Sequence, residues 1–257
     1  MQPGTQARFV WHDLMTGDVA GARRFYGALF GWKFSGSKDE QDPYLHLESR
    51  GVLFGGMVKL AQPGIPPHWL SYVEVADVDV CAERAQDCGG KLALPPREIP
   101  GVGRFAVIVD PTGAHLAPFR SVEPSRPERE VLPEDRRFCW DELLTRDSSR
   151  AGAFYAEVFG WRVQEVPMGP HGTYHLFKRG VLDAAGMMQM PQDAAAPAHW
   201  LAYVSVPDVD ESARAIAERG GKLWVEPRDI PGIGRFAVAA DPQGASFAVF
   251  RRLGDAA

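Results

Sequence analysis

Between Val19 and Phe30 the apolar side chains fall at Ala22, Phe25, Tyr26, Leu29 and Phe30. Steps of three and four residues predict one buried stripe of a helix. Asp18 stands where an N-cap belongs and Gly31 where a helix ends. The flanking segments are short and strand-like: Phe9–Thr16 before the helix, then Trp32–Ser35, Tyr44–Glu48 and Val52–Leu60 after it. The order then restarts. Trp69–Val75 reads as a strand and Val78–Cys88 as a helix opened by Asp77 and closed by Gly89-Gly90. Lys91–Leu94, Arg104–Val109 and Ala114–Phe119 follow as strands. Asp110-Pro111-Thr112-Gly113 places Pro and Gly where a β-turn uses them.

The whole pattern then occurs a second time. Residues 68–120 return as 199–251, with 31 of 53 positions identical at a constant offset of 131. Phe25-Tyr26 and Phe30-Gly31-Trp32 return as Phe154-Tyr155 and Phe159-Gly160-Trp161. A period this long marks a duplicated domain, because solenoid units run at roughly 20–50 residues. Ser121–Arg137 is rich in proline and charge and reads as the linker. The expected layout is domain 1 at 7–120, a linker at 121–137 and domain 2 at 138–252. Each half is βαβββ twice over, which predicts an α+β fold of mostly antiparallel sheet with helices on one side.

Composition changes this picture little, but it narrows the function. The 257-residue chain carries a net charge of −5, so it lacks the basic footprint of a nucleic-acid or anionic-membrane partner. No run approaches a membrane span of roughly 20 apolar residues, and Met1–Arg8 lacks the apolar core of a signal peptide. Cys81, Cys88 and Cys139 form neither a CxxC pair nor an even framework. A cytoplasmic protein is expected, as a monomer or homodimer.

The punctuation D-x6-FY-x3-FGW and DP-x-GA, with paired βαβββ modules, resembles the vicinal oxygen chelate superfamily of glyoxalase I, bleomycin-resistance proteins and extradiol dioxygenases. W-x-x-L-x-T-x-D in the first strand and the P-P-H-W-L-x-Y-V segment resemble its tandem two-domain, glyoxalase-like branch. The resemblance implies two tandem glyoxalase-like domains, each a cupped, mostly antiparallel eight-stranded sheet around a cavity. It also implies a divalent metal held by His, Gln or Glu from the first and last strands of the modules. Here those positions fall on Trp11, Leu70 and Ala117 in one copy, and on Trp140, Leu201 and Ala248 in the other. Indole, isobutyl and methyl groups do not ligate a hard or borderline cation. No metal ligand and no cofactor is therefore assigned. A divalent metal on relocated ligands such as His68, His115 and Asp13 stays as the alternative.

Strand alternation puts Trp11, Asp13 and Met15 on one face and His12, Leu14 and Thr16 on the other. A carboxylate beside an indole in an apolar cup is how a general acid or base is made, so Asp13 and Glu142 are the catalytic candidates. The bland reading has them bonded to backbone or arginine. The expected ligand contacts are Trp11, Met15, Met57, His68, Tyr72, Arg104 and His115, with Trp140, Met187, His199, Tyr203 and Arg235 in the second copy. Arg104 and Arg235 either clamp an anion or pair locally with Glu98 and Asp229. No HExxH, GxSxG or Walker element is present. The reading that follows is a protein binding a small organic molecule in an aromatic-lined cavity without metal. A metal-dependent lyase, isomerase or dioxygenase, and a metal-free enzyme using a cavity carboxylate, stand as alternatives.

Overall fold

Acidic N-caps start all four helices in the computed structural model, which describes residues 7–36, 44–60, 64–123, 128–169 and 172–254. Asp18 accepts from Gly21 N at 2.8 Å and opens α1 (Val19–Phe30). Asp77 accepts from Asp79 N and Val80 N and opens α2 (Val78–Asp87). Asp147 and Asp208 do the same for α3 (Ser148–Phe159) and α4 (Val209–Glu218). Each cap satisfies an otherwise orphaned amide, for about 1 kcal/mol.

The strands follow the predicted order. The first repeat holds β1 (Arg8–Thr16), β2 (Lys33–Gly36), β3 (Leu45–Ser49), β4 (Val52–Lys59), β5 (His68–Glu74), β6 (Lys91–Ile99), β7 (Gly103–Val109) and β8 (His115–Ser121). The second holds β9 (Phe138–Thr145), β10 (Arg162–Pro167), β11 (Thr173–Arg179), β12 (Leu182–Gln189), β13 (His199–Ser205), β14 (Lys222–Ile230), β15 (Gly234–Ala240) and β16 (Ser246–Arg252). Each repeat builds one eight-stranded sheet, ordered β2-β3-β4-β1-β5-β8-β7-β6 and β10-β11-β12-β9-β13-β16-β15-β14. The sheets are mixed. Hairpins such as β3/β4 and β7/β8 are antiparallel, while the first strand of a module pairs in parallel with its last, as in β1/β4 and β5/β8.

The linker Ser121–Arg137 contains a 3-10 turn at Pro133–Asp135, and its residues 124–127 lie outside the described residues, as do residues 1–6 of the N-terminus. One strand departs from the sequence reading. β6 runs to Ile99, straight through Pro95-Pro96, where the pattern ends it at Leu94. It lies at the sheet edge, and its pairing with β7 shifts register between Leu92 and Leu94 and again before Arg97. An edge strand with bulges tolerates residues that cannot donate to the ladder.

The chain divides into two compact units, and each draws on both repeats. Unit 1 comprises Met1–Val10, Ser71–Glu128 and Asp141–Trp200. Its core joins Val73, Ile108, Leu116 and Ala85 of the first repeat to Phe154, Tyr155, Phe159, Trp161 and Phe177 of the second. Unit 2 comprises Trp11–Leu70, Arg129–Trp140 and Leu201–Ala257. Its core joins Leu14, Phe25, Tyr26, Trp32 and Leu47 to Val204, Ile216, Ala237 and Phe247.

The motifs kept in both copies meet in these cores. In unit 1 the Tyr155 hydroxyl donates to Asp110 Oδ2 at 3.0 Å and accepts from Trp200 Nε1 at 2.9 Å. In unit 2 the Tyr26 hydroxyl donates to Asp241 Oδ2 at 3.1 Å and accepts from Trp69 Nε1 at 3.2 Å. The other oxygen of each aspartate holds its own turn: Asp110 Oδ1 accepts from Thr112 N, Gly113 N and Ala114 N. The FY tyrosine, the HW tryptophan and the DPxG aspartate are thus one buried network, occurring twice. Burial first, then the neighbouring carboxylate, pushes the Tyr26 and Tyr155 phenols well above their ordinary range.

Candidate functional site

β1 sets the site. Leu14 and Thr16 are fully buried, and Leu14 belongs to the helix-side core of unit 2. Alternation therefore turns Trp11, Asp13 and Met15 to the opposite face. There the Trp11 indole Nε1 lies 2.9 Å from Asp13 Oδ1 and 2.8 Å from the Tyr44 hydroxyl. The Tyr44 hydroxyl donates to Asp13 Oδ1 at 2.7 Å. His46 stands edge-on to both rings, with centroids 5.1 Å from Tyr44 and 6.2 Å from Trp11. Asp13 is 5% exposed, so this is a buried carboxylate held by a phenol and an indole.

The strand register explains how the cluster fits. Ser35, His46, Gly56 and Asp13 form one row across β2, β3, β4 and β1. Gly56 leaves the middle of that row open, and the Tyr44 phenol occupies the space. A Cβ at Gly56 would stand 1.9 Å from the Tyr44 hydroxyl oxygen and 2.3 Å from Asp13 Oδ1. The matching row in unit 1 is Gln164, Leu176, Gly186 and Glu142. It keeps the glycine and a buried acid, Glu142, but carries leucine where the first repeat has His46. Tyr44 was not among the residues singled out from sequence. Its counterpart Tyr174, at an offset of 130, was the available signal.

Other expected contacts lie elsewhere. Met57 pairs with Leu14 in register and is fully buried in the core of unit 2, and Met187 occupies the same position in unit 1, near Gly152 of α3. Both methionines therefore face the helices, on the side opposite Trp11 and Asp13. Their strands are buried on both sides around a Gly, so no alternation revealed the direction.

Arg104 is also on the helix side. It forms a fork with Asp79 of α2 at 2.7 Å and reaches Glu98 at 3.3 Å. Arg235 does the same with Asp210 and Asp229. The hydrogen bond from each arginine is the largest influence on Asp79 and Asp210, and holds both below the ordinary carboxylate range. These arginines are surface ion pairs that tie a helix to a strand.

Tyr72 is buried on the face opposite the helices, within 6.0 Å of Phe105 and 6.2 Å of Phe119 by ring centroids. Tyr203 is equally buried at the matching position of β13, paired in register with Ala248. Trp140 is half-buried on β9, and Met15 is half-buried on β1. His115 is exposed at the start of β8. His68 and His199 open β5 and β13, with Nδ1 2.8 Å from the carbonyls of Pro66 and Pro197. A carbonyl only accepts, so Nδ1 donates and a neutral ring leaves its lone pair on Nε2.

The family model described as Glyoxalase/Bleomycin resistance protein/Dioxygenase superfamily matches the chain twice, over residues 8–117 and 140–249. A Mycobacterium tuberculosis protein named "Putative glyoxylase CFP32" is 34% identical over 94% of this chain and 93% of its own. The Streptomyces peucetius protein named "Anthracycline biosynthesis protein DnrV" is 31% identical over 96% of this chain and 93% of its own. The crystal structure of the Mn(II)-bound glyoxalase from Novosphingobium aromaticivorans shares the fold, with a TM-score of 0.63 at 15% identity, covering 99% of this chain and 85% of that one.

The positions where the superfamily resemblance places metal ligands carry Trp11, Leu70 and Ala117, and Trp140, Leu201 and Ala248. None offers a donor for a divalent cation. Among the described residues no group of three His, Cys, Asp or Glu side chains is placed to hold one. The donor set at these positions does not fit the metal.

Proposed function

We infer the function from the premise that this chain belongs to the Glyoxalase/Bleomycin resistance protein/Dioxygenase superfamily: we propose that it binds a small planar organic molecule on the Trp11–Asp13–Tyr44 face of β1–β4, without a metal. The observation that supports this most is the buried hydrogen-bonded cluster over Gly56. An indole, a phenol and an imidazole edge supply flat apolar contacts, and the carboxylate and hydroxyl oxygens supply acceptors for a ligand hydroxyl. That mixture is typical of small-molecule sites. The ligand class we favour is a polycyclic aromatic bearing such a hydroxyl. A whole-length relative named for anthracycline biosynthesis supports that choice. The expected setting is a reducing cytoplasm, consistent with three free cysteines, with the chain acting as a monomer or homodimer.

The 2.7 Å bond from Tyr44 to Asp13 favours one further reading, in which Asp13 accepts a proton from the bound molecule and Tyr44 steadies the carboxylate. In the second repeat Glu142 is the corresponding acid.

Titrating an anthracycline against tryptophan fluorescence tests the binding reading. Asp13→Asn and Tyr44→Phe should each weaken binding about tenfold, or roughly 1.4 kcal/mol. Quenching by the wild-type protein that both variants leave unchanged would place the ligand elsewhere. Turnover lost in Asp13→Asn with binding retained would select the acid/base reading.

A further inference from the structure

Two non-glycine residues among those described hold a left-handed backbone, Arg50 at φ 50° and Arg136 at φ 49°. Both line the same surface groove of unit 2, of about 520 Å³. Such a backbone is unfavourable for a residue with a Cβ, and strain of this kind gathers where a ligand is held.

The left-handed backbone at Arg50 belongs to its hairpin turn, in which Arg50 and Gly51 both have positive φ. Arg50-Gly51 is the two-residue loop between β3 and β4, bracketed by the Ser49–Val52 pair. The matching loop between β11 and β12 is Gly180-Val181, bracketed by Arg179–Leu182. Its first position is glycine, at φ 62°. The second repeat makes a different two-residue turn, with positive φ at Gly180 and not at Val181. Trp32 Nε1 donates to the Arg136 carbonyl at 2.6 Å as Trp161 Nε1 donates to that of Ala7 at 2.9 Å.

The groove's other walls are Phe30 and Gly31 at the end of α1, Lys33, Ser49, Glu134 and Pro207. Among the described residues, Lys33, Arg50 and Arg136 form no ion pair within 4 Å. The nearby carboxylate of Asp135 is already held by Arg137 at 2.9 Å and by the Leu132 amide. The Arg136 guanidinium donates to the Phe30 carbonyl at 3.4 Å. Three cationic residues therefore line one groove whose lining includes a single acid, Glu134, with Asp135, which also attracts Arg50, beside it.

We propose that this groove is a second ligand site, which binds the phosphoryl group of a small phosphorylated metabolite between Lys33, Arg50 and Arg136. Two guanidinium forks and an ammonium present more donors than one carboxylate can satisfy, and a phosphoryl group has the oxygens to meet them. Glu134 at the rim can accept from a ligand hydroxyl, and buried Phe30 floors the apolar part. The site does not depend on the Trp11–Asp13–Tyr44 cluster.

Calorimetric titration of the full chain with inorganic pyrophosphate, against sulfate and against chloride at matched ionic strength, tests the proposal. Saturable binding near one equivalent is expected for pyrophosphate and not for chloride. Arg50→Gly should weaken it at least tenfold while raising the Tm of the free protein by about 2 °C, since the turn is relieved. Arg50→Lys should keep most of the affinity. Equal heats for all three anions at matched ionic strength would overturn the site, as would unchanged pyrophosphate affinity in Arg50→Gly.

Discussion

Gly56 makes the candidate site buildable, because any side chain there takes the space of the Tyr44 hydroxyl. Gly56→Ala is expected to drive Tyr44 off Asp13, to reduce ligand affinity on the order of tenfold, and to cost about 1–3 kcal/mol of stability from overpacking. A crystal structure of the variant with the Tyr44–Asp13 bond intact would contradict this. Cys81 gives a second test at the same scale. Burial pushes its thiol up to about 11, against the ordinary value of 9.0. In native protein at pH 8, Cys81 should react with a thiol reagent far more slowly than half-buried Cys88 and Cys139. Single side chains on β1 were legible from alternation, as Leu14 and Trp11 show. Tyr44 was not, because its role depends on a glycine of the neighbouring strand in the fold. The partner of Arg104 was legible only in part. Glu98 is close in sequence, whereas Asp79 lies 25 residues away on α2.

Helices were the most legible elements, because their ends carry their own chemistry. Asp18 and Gly31 bracket α1 as expected, and Asp77 opens α2. Asp208→Ala should lower stability by about 1 kcal/mol through loss of the bond to Glu211 N. A denaturant midpoint unchanged by that substitution would contradict the capping role. Edge strands were least legible. β6 and β14 contain Pro95-Pro96 and Pro227, and their bulges break the alternation that otherwise reveals a strand. The β4 and β12 segments failed for another reason: Gly-Gly-Met57 and Ala-Gly-Met187 carry too little side chain to show which face is which.

At the scale of the whole molecule, the sequence divides the chain into two repeats, whereas the hydrophobic cores combine parts of both. Nothing in a local pattern could reveal that, because Tyr26 meets Asp241 across 215 residues of sequence. Residues 1–137 expressed alone should therefore lack cooperative unfolding, since Tyr26 and Asp110 lose their partners Asp241 and Tyr155. The tyrosine networks also set a pH dependence. Below pH ~10 native and unfolded phenols both keep their protons, so stability is flat with respect to them. Above it the unfolded chain releases protons that Tyr26 and Tyr155 retain when folded, so stability falls as pH rises. Absorbance titration should show these two phenols ionising only with unfolding. The central claim is a ligand face that works without metal. It is tested most directly by titrating an anthracycline into chelator-stripped protein, with and without added Mn(II). The account predicts the same affinity in both samples. Binding that disappears on stripping and returns with Mn(II) would contradict it.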